Sequence, residues 1–408
     1  MRRAAGLAAI MILVGAVACG DKPPGGSAAE DYLYFESPRG VSVVAAGAKT
    51  AERPAPGIPS TDWSSVVTYR RSGGVNHLQA LDARAGDVQW KRDIDGPPLQ
   101  VKVVSRAARM VALTPFDQYH YMEGRKKTTI VVTGRDAPPQ TVELDGNYEP
   151  EAFSNDGESV FLLEYLPPQR PNSYRVRRLD LSTKEVLGVY SVDAELQERM
   201  RGTARIQSMS PDGKYLYTLY TTGGGRLGPR RAFIHVLNLD ELWAHCIDLP
   251  PEFGQVREPQ IAITVTPDSK RLYINDVGAG TMAEVDTQSL DVLRTGSQEV
   301  ATSAYKPRGI HDGDHTLYLA RGPFLSAIDT NTLSETETWT MPATIRGVQV
   351  AADASKVYVA LARQVVTLDA ATGKELEVVN PPGVGRIHRM GPVMRKVESA
   401  ISKLTCAC

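Results

Sequence analysis

Residues 208–217, with the sequence SMSPDGKYLY, have the pattern of a strand end, a tight turn and the start of a second strand. Pro, Asp and Gly favour the turn, and the apolar residues that follow favour the strand. Similar aspartate-bearing turns recur along the chain, at Asp156, Asp212, Asp268, Asp312 and Asp353. The intervals between these aspartates are 56, 56, 44 and 41 residues, which indicates a repeat protein.

A second landmark has a similar period. In each repeat a later strand ends in an apolar residue followed by Asp or Asn. The instances are Leu81-Asp82, Leu179-Asp180, Leu237-Asn238, Val285-Asp286, Ile328-Asp329 and Leu368-Asp369, with Thr133 as a degenerate copy. Such a carboxylate can accept hydrogen bonds from backbone N–H groups of the next turn. Gly86 and Gly373 close two of these turns and can supply a positive φ.

These repeats are about 48 residues long, and each has room for four short strands. A lone four-stranded sheet of this size exposes both faces, whereas blades closed around an axis bury them. The sequence therefore predicts an all-β fold, a seven-bladed β-propeller of four-stranded blades, over residues 31–382. The strands between residues 32 and 90 are assigned to the first repeat. Short helices are expected at residues 194–200 and, in a C-terminal tail over 383–408, at residues 393–404.

The N-terminus has the pattern of an export signal. Arg2 and Arg3 precede an apolar stretch over residues 4–17 that is too short to span a bilayer. The sequence Ala16-Val17-Ala18-Cys19 resembles the lipobox of bacterial lipoproteins. This resemblance implies cleavage after residue 18, a lipid on Cys19, a flexible tether over residues 20–30 and attachment to the cell membrane outside the cytoplasm. Ordinary signal-peptide cleavage, which leaves Cys19 without a lipid, is the alternative.

Two kinds of propeller repeat are recognisable. Leu272-Tyr273-Ile274-Asn275, followed by residues 282–286, resembles the YVTN-type repeat, and residues 82–90 resemble a quinoprotein-type blade with Asp82, Gly86 and Trp90. The resemblance implies the fold, and it does not choose among functions, because propellers of this kind include binding modules and enzymes.

The composition and the polar motifs exclude several functions. With 46 basic and 47 acidic residues the net charge is −1, which gives no indication of nucleic-acid binding. The turn aspartates fall on separate blades and so cannot share one metal ion. Residues 311–315 (HDGDH) are interpreted as a polar turn. Cys406 and Cys408 could hold a soft metal, but we predict no metal site and no cofactor.

The loops that join the second and third strands are unequal in length. They are short at residues 278–280, 322–324 and 363–364, and long at residues 115–127, 166–173 and 221–231. The long loops and the first repeat carry the predicted ligand-binding residues Arg70, Arg71, Tyr119, Tyr121, Arg125, Lys126, Lys127, Arg170, Arg226, Arg230 and Arg231. Consecutive blades are neighbours, so these side chains are expected to form one basic face. Such a face suits an envelope protein or an anionic glycan. A set of variable, solvated loops is the alternative.

Enzymatic functions are the competing hypothesis. Residues 82–90 suggest a quinoprotein-like dehydrogenase, and the fold is also compatible with a lactonase-like hydrolase. The Trp pattern occurs in one repeat only, and no nucleophile-elbow motif or Ser/His/Asp constellation is recognisable. The sequence thus favours a non-catalytic binding scaffold over an enzyme.

Overall fold

The computed structural model describes residues 31–46, 56–118, 120–191, 199–223, 229–256, 260–301, 306–381 and 384–395. Within these residues the chain consists of β-strands, with two single-turn 3-10 helices, Arg106–Ala108 and Tyr121–Glu123. No helix in this part of the chain has the length and apolar character needed to span a membrane. The strands form eight sheets, and neighbouring strands in them are antiparallel except for one short added strand in blade five, so the fold is an all-β propeller with eight blades.

The first blade combines both ends of the chain. Its strands are β1 (Asp31–Ser37), β2 (Gly40–Ala45), β32 (Arg389–Met390) and β33 (Met394–Arg395). Blades two to four contain β3 (Ile58–Pro59), β4 (Ser65–Ser72), β5 (Val75–Asp82), β6 (Val88–Asp95); β7 (Leu99–Val104), β8 (Met110–Pro115), β9 (Lys127–Gly134), β10 (Gln140–Asp145); and β11 (Tyr148–Phe153), β12 (Ser159–Leu166), β13 (Ser173–Asp180), β14 (Val186–Gly188).

The remaining blades follow the same order from the inner to the outer strand. Blade five contains β16 (Thr203–Met209), β17 (Tyr215–Thr222), β18 (Arg231–Asn238) and β19 (Trp243–Asp248), and β15 (Tyr190–Ser191) adds to it in parallel. Blades six to eight contain β20 (Ile261–Val265), β21 (Arg271–Asp276), β22 (Thr281–Asp286), β23 (Val292–Ser297); β24 (Arg308–His311), β25 (Thr316–Arg321), β26 (Phe324–Asp329), β27 (Ser334–Thr340); and β28 (Gly347–Val350), β29 (Lys356–Ala360), β30 (Val365–Asp369), β31 (Glu375–Val379).

The count of seven blades is wrong, because the hairpin β1–β2 does not belong to the first repeat. It pairs instead with the C-terminal segment, Phe35 opposite Met390 and Tyr32 opposite Met394. This pairing joins residues more than 350 positions apart, so no local pattern reveals it. The propeller therefore continues past residue 382. Residues 394–395 form β33 where a helix was expected over 393–404, and residues 396–404 lie outside the described residues.

The predicted aspartate hairpins are confirmed. Ser210 Oγ donates to Asp212 Oδ1 (2.6 Å), the same oxygen accepts from Lys214 N (3.0 Å), and Gly213 has φ +78°. Asp156 and Asp268 make the same two kinds of bond. A further copy occurs at Asp62, where Trp63 occupies the positive-φ position. One turn geometry thus repeats around the molecule.

The aspartates after the third strands also have the predicted structural role. Asp82 Oδ1 accepts from Ala85 N (2.7 Å), and Asp369 Oδ1 accepts from Thr372 N (2.9 Å). Gly86 and Gly373 close these turns with φ +74° and +66°. A hydrogen bond from the Ser182 side chain, with others from the Ser182 and Thr183 backbone, lowers the pKa of Asp180 to about 2. The carboxylates are therefore engaged in turn structure.

The core lies between blades. Tyr217 of blade five belongs to one apolar cluster with Ile263 and Leu272 of blade six, and all three are buried. Each such side chain contributes about 1.5–3 kcal/mol relative to exposure. The aspartate hairpins and the third-to-fourth-strand turns emerge on one side of the disc, here called the hairpin face. The second-to-third-strand loops emerge on the other side, the loop face. Inner strands run from the loop face to the hairpin face.

Candidate binding face

The long loops of blades three and four contact each other on the loop face. Arg125 N donates to Pro168 O (2.9 Å), and Asn147 Nδ2 donates to Tyr121 O (2.8 Å) and to Pro168 O (3.2 Å). The carboxamide of Asn147, which is fully buried, therefore holds two loops together. This arrangement agrees with the topology expected for consecutive blades.

Most of the predicted ligand-binding cations point to solvent. Arg70, Arg71, Lys126, Lys127, Arg170 and Arg231 are exposed, and Arg230 is half-buried. Lys127 lies 3.9 Å from a carboxylate oxygen of Asp145. Tyr119 and Arg226 are outside the described residues, as are Cys19 and the expected signal and tether. Residues 194–198 of the helix expected over 194–200 are outside them too. The described cations therefore lie along one rim of the loop face, over blades two to five.

Arg125 differs from the other predicted residues. It is only 7% exposed, and its Nη2 forms an ion pair with Glu149 Oε1 (2.7 Å) and donates to Tyr148 O. Lys102 lies 3.4 Å from the other oxygen of the same carboxylate. Arg125 therefore faces the protein, unlike the solvent-facing position expected for it, because Glu149 on inner strand β11 supplies a counter-charge that sequence spacing does not reveal.

A row of stacked aromatic rings, here called the aromatic ladder, packs beneath the long loops of the loop face. Tyr121 stacks on Tyr165 with ring centroids 4.2 Å apart, and Tyr174 stacks on Tyr220 at 5.1 Å. Tyr220 stacks in turn on Phe233 at 5.3 Å. The ladder runs from the loop of blade three through blade four to blade five. Burial raises the pKa of the Tyr174 and Tyr220 hydroxyls, so both stay neutral. Tyr121 is therefore part of a packing element as well as of the face.

Inner strand β11 holds a second acid, Glu151, beside this ladder. Burial raises its pKa to about 7, and hydrogen bonds from Gln207 and Thr218 lower it in part. The Gln207 amide nitrogen lies 3.2 Å from Glu151 Oε1. Glu151 differs from Glu149 in lacking an ion pair with a described cation. Glu151 on inner strand β11 is thus a group that titrates near neutral pH.

Sequence reasoning missed three arginines near the axis. Arg308, Arg346 and Arg389 stand at the loop-face ends of the inner strands β24, β28 and β32 of consecutive blades. A weak signal existed, because Arg-Gly-aliphatic occurs at both 308–310 and 346–348. The aspartate landmarks locate the hairpin face, so they gave no reason to examine the opposite ends of these strands.

The motifs that suggested a quinoprotein or a metal site make hydrogen bonds and ring contacts within the fold. The Trp90 indole, from the quinoprotein-like pattern, donates to Ala108 O (2.8 Å) inside the core. In the HDGDH turn, His311 stacks on Tyr273 and accepts from Gly313 N (3.0 Å). Within the described residues no group of three His, Cys, Asp or Glu side chains could hold a metal ion. Cys406 and Cys408 lie outside those residues.

The hairpin face has a cavity of about 550 Å³ between blades three and four. Its lining includes Asp156 and Asp180. Both carboxylates accept hydrogen bonds from their own turns, Asp156 from Glu158 N (2.8 Å) and Asp180 from Ser182 N (2.9 Å). Both carboxylates are therefore already hydrogen-bonded within their own turns, and the loop face is the better candidate binding site.

The fold has counterparts among solved structures. No protein-family model and no curated protein matches the chain. The structure of apo AztD from Citrobacter koseri superposes with a TM-score of 0.56 at 14% identity, over 90% of this chain and 97% of that one. A second structure of Citrobacter koseri AztD gives 0.55 at 13% identity, over 90% and 98%. A putative 6-phosphogluconolactonase from Bacteroides fragilis gives 0.41 at 14%, over 83% and 100%. At these identities the likeness to the two AztD structures shows the β-propeller fold alone.

Proposed function

We propose that this propeller is a non-catalytic binding scaffold of the cell envelope that engages an anionic partner through its loop face. The observation that carries the proposal is that this face exposes cations without carboxylate partners beside large apolar side chains. Within the described residues, Arg70, Lys126, Arg170 and Arg231 have no carboxylate oxygen within 4.0 Å. Such charges can steer and select a partner of opposite sign.

The apolar component of the loop face supports contact with a macromolecule. Phe116 is 70% exposed and Met122 is 59% exposed, both in the long loop of blade three. Val300 and Phe324 are exposed at the same face in blades six and seven. Aromatic residues, Met and Arg are enriched at protein interfaces. The partner class that fits is an acidic envelope protein or an anionic glycan.

The topology suits attachment through Cys19. Residue Asp31 pairs with Arg395 at the start of β1, and β1 runs from the hairpin face to the loop face. A tether that ends at residue 31 therefore joins the propeller at the hairpin face, which leaves the loop face directed away from the membrane. Cys19→Ala should move the protein from the membrane fraction to the soluble fraction. An unchanged distribution would refute lipid anchoring and leave the binding proposal intact.

Retention on a heparin column tests the binding proposal, with heparin as a defined anionic glycan. The loop-face variant Arg70→Glu/Arg170→Glu/Arg231→Glu should elute at clearly lower salt than the wild type, because exposed charges act within a screening length of about 8–10 Å. The matched control Lys184→Glu/Lys214→Glu/Lys374→Glu changes the net charge equally on the hairpin face, where all three lysines are exposed. Equal shifts for the two variants would show that net charge, not the loop face, determines retention.

A further inference from the structure

Arg308, Arg346 and Arg389 converge at the loop-face mouth of the central channel. They begin or directly precede the inner strands of blades seven, eight and one, which follow one another around the axis. Gly309 and Gly347 lie next to two of them. A Cβ at Gly347 would overlap Met390 Cβ, and one at Gly309 would overlap Thr264 Oγ1. Gly347 therefore lets the inner strands of blades eight and one approach closely beside Arg346 and Arg389, and Gly309 does the same between blades seven and six.

Among the described residues only one carboxylate, that of Glu36, forms an ion pair with any of the three guanidinium groups. Arg389 Nε forms an ion pair with Glu36 (3.0 Å), and its guanidinium lies 4.7 Å from the ring centroid of Trp63. Arg308 Nη1 donates only to Pro307 O (3.2 Å), and Arg346 Nε is buried without a hydrogen-bond partner in the described part of the chain. Within the described residues neither Arg308 nor Arg346 has a carboxylate oxygen within 4.0 Å.

Several partly buried arginines elsewhere in the described residues are paired with carboxylates. Glu284 receives Arg271 (3.2 Å) and Arg294 (2.6 Å), and Arg321 lies 2.8 Å from Glu335. Glu164 receives two further arginines of β13 in the same way. Burying a guanidinium without a counter-charge is costly, since arginine stays protonated in proteins. The channel-mouth cluster differs from these ion-paired arginines, because Arg308 and Arg346 have no carboxylate oxygen within 4.0 Å among the described residues.

The electrostatics agree with the geometry. Burial, and then the positive charges of Arg389 and Arg346, lower the pKa of Arg308. An anion at the mouth would relieve the mutual repulsion and accept the unused N–H donors. Guanidinium groups bind phosphate oxygens in fork geometry, and a phosphate monoester brings a charge of about −1.5 to −2 with three acceptor oxygens. Three arginines and one carboxylate leave a net charge of +2, which such a group matches.

We propose that Arg308, Arg346 and Arg389 form a phosphate-binding site at the loop-face mouth of the channel. This inference extends the proposed function, since it names the group that the anionic partner presents to the axis. The rim cations over blades two to five would attract the partner, and the arginine cluster would bind its phosphate.

Isothermal titration calorimetry with inorganic phosphate and with galactose 1-phosphate tests the site. Arg308→Gln/Arg346→Gln should weaken binding of both probes by about tenfold or more, equivalent to 1.4 kcal/mol or more. The control Lys184→Gln/Lys374→Gln removes two exposed cations of the hairpin face and should change phosphate affinity by less than about twofold. Tighter binding of the sugar phosphate would indicate a phosphate carried on a glycan, and equal binding would indicate free phosphate.

Two further readouts separate a binding role from a structural one. The affinity for galactose 1-phosphate should fall between pH 7.5 and 5.5, because the second pKa of a phosphate monoester is about 6 and the dianion is lost, whereas sulfate affinity should stay constant. The double variant should melt at the same temperature as the wild type or higher, since the change removes like-charge repulsion. A lower melting temperature with unchanged phosphate affinity would overturn the proposal.

Failure of this site and failure of the scaffold give different results. Heparin retention that depends on the rim, with no heat from either phosphate probe, would refute the phosphate site alone. Phosphate binding that needs Arg308 and Arg346, without rim-dependent retention, would refute the rim as a docking surface and leave the site standing.

Discussion

The hairpin face and the loop face use their polar side chains in opposite ways. On the hairpin face each turn carboxylate is satisfied locally, and neighbouring turns bond one another, as when Asn155 Nδ2 donates to Gly213 O (3.0 Å) and Asp212 N donates to Ser269 Oγ (3.2 Å). On the loop face the loops differ in length, and within the described residues Arg70, Lys126, Arg170 and Arg231 have no carboxylate oxygen within 4.0 Å. The comparison indicates that the repeated positions build the fold, whereas departures from the repeat mark the binding face.

The largest effect should come from removing the repeated carboxylates. Asp156→Ala/Asp212→Ala/Asp268→Ala removes a side-chain bond and a backbone bond from each of three turns. Each substitution should cost about 1 kcal/mol, giving about 3 kcal/mol in the free energy of unfolding for the triple variant. Because Asp212 N and Ser269 Oγ link two of these turns, the sum need not be additive. Chemical denaturation measures the change.

A matched set of acids on the loop face provides the control. Asp95, Asp117 and Glu123 are exposed there and have no ion-pair partner within the described residues. Their replacement by Ala should change the unfolding free energy by less than about 0.5 kcal/mol. If both sets destabilised the protein equally, the turn carboxylates would not have the special role assigned to them.

The next effect concerns Glu151 on inner strand β11. Its pKa is raised to about 7, so between pH 4.5 and 7 the folded state binds more protons than the unfolded state. Stability from this group is therefore present at low pH and is lost as pH rises through that window. Glu151→Gln should be more stable than the wild type at pH 8, on the order of 2 kcal/mol, with little difference near pH 4.5.

Glu149, two residues away on the same strand, provides a test of opposite sign. Glu149→Gln leaves buried Arg125 without its ion-pair partner and should destabilise the protein at pH 8. Thermal melts of both variants across this pH range would decide. If Glu151→Gln also lowered the melting temperature at pH 8, burial of the ionised Glu151 carboxylate would not destabilise the folded state.

These contrasts explain what the sequence could predict. The turns at Asp156, Asp212 and Asp268 were predictable, because a Ser or Thr, an Asp and then a Gly or Ser define the turn geometry locally. The eighth blade was not, since it requires residue 35 to pair with residue 390. Burial of Arg125 depended on Glu149, which lies on another blade. The arginine cluster depended on three strands meeting at the axis, and a linear pattern carries that arrangement only weakly.

The smallest effect on stability should come from the basic rim itself. Arg70→Glu/Arg170→Glu/Arg231→Glu should shift the melting temperature very little, because exposed charges contribute less than about 1 kcal/mol each and these form no ion pair within the described residues. Arg125→Glu should be strongly destabilising instead, since it places a second carboxylate against Glu149. Scanning calorimetry distinguishes the two outcomes.

Hydrogen–deuterium exchange with and without a heparin oligosaccharide tests the division between the two faces most directly. Amides of residues 116–126 and 167–172 should exchange more slowly when the oligosaccharide is bound, while the hairpins at residues 154–158 and 210–214 should be unaffected. Protection confined to the hairpins, or equal protection of both faces, would contradict the assignment of the loop face as the binding surface.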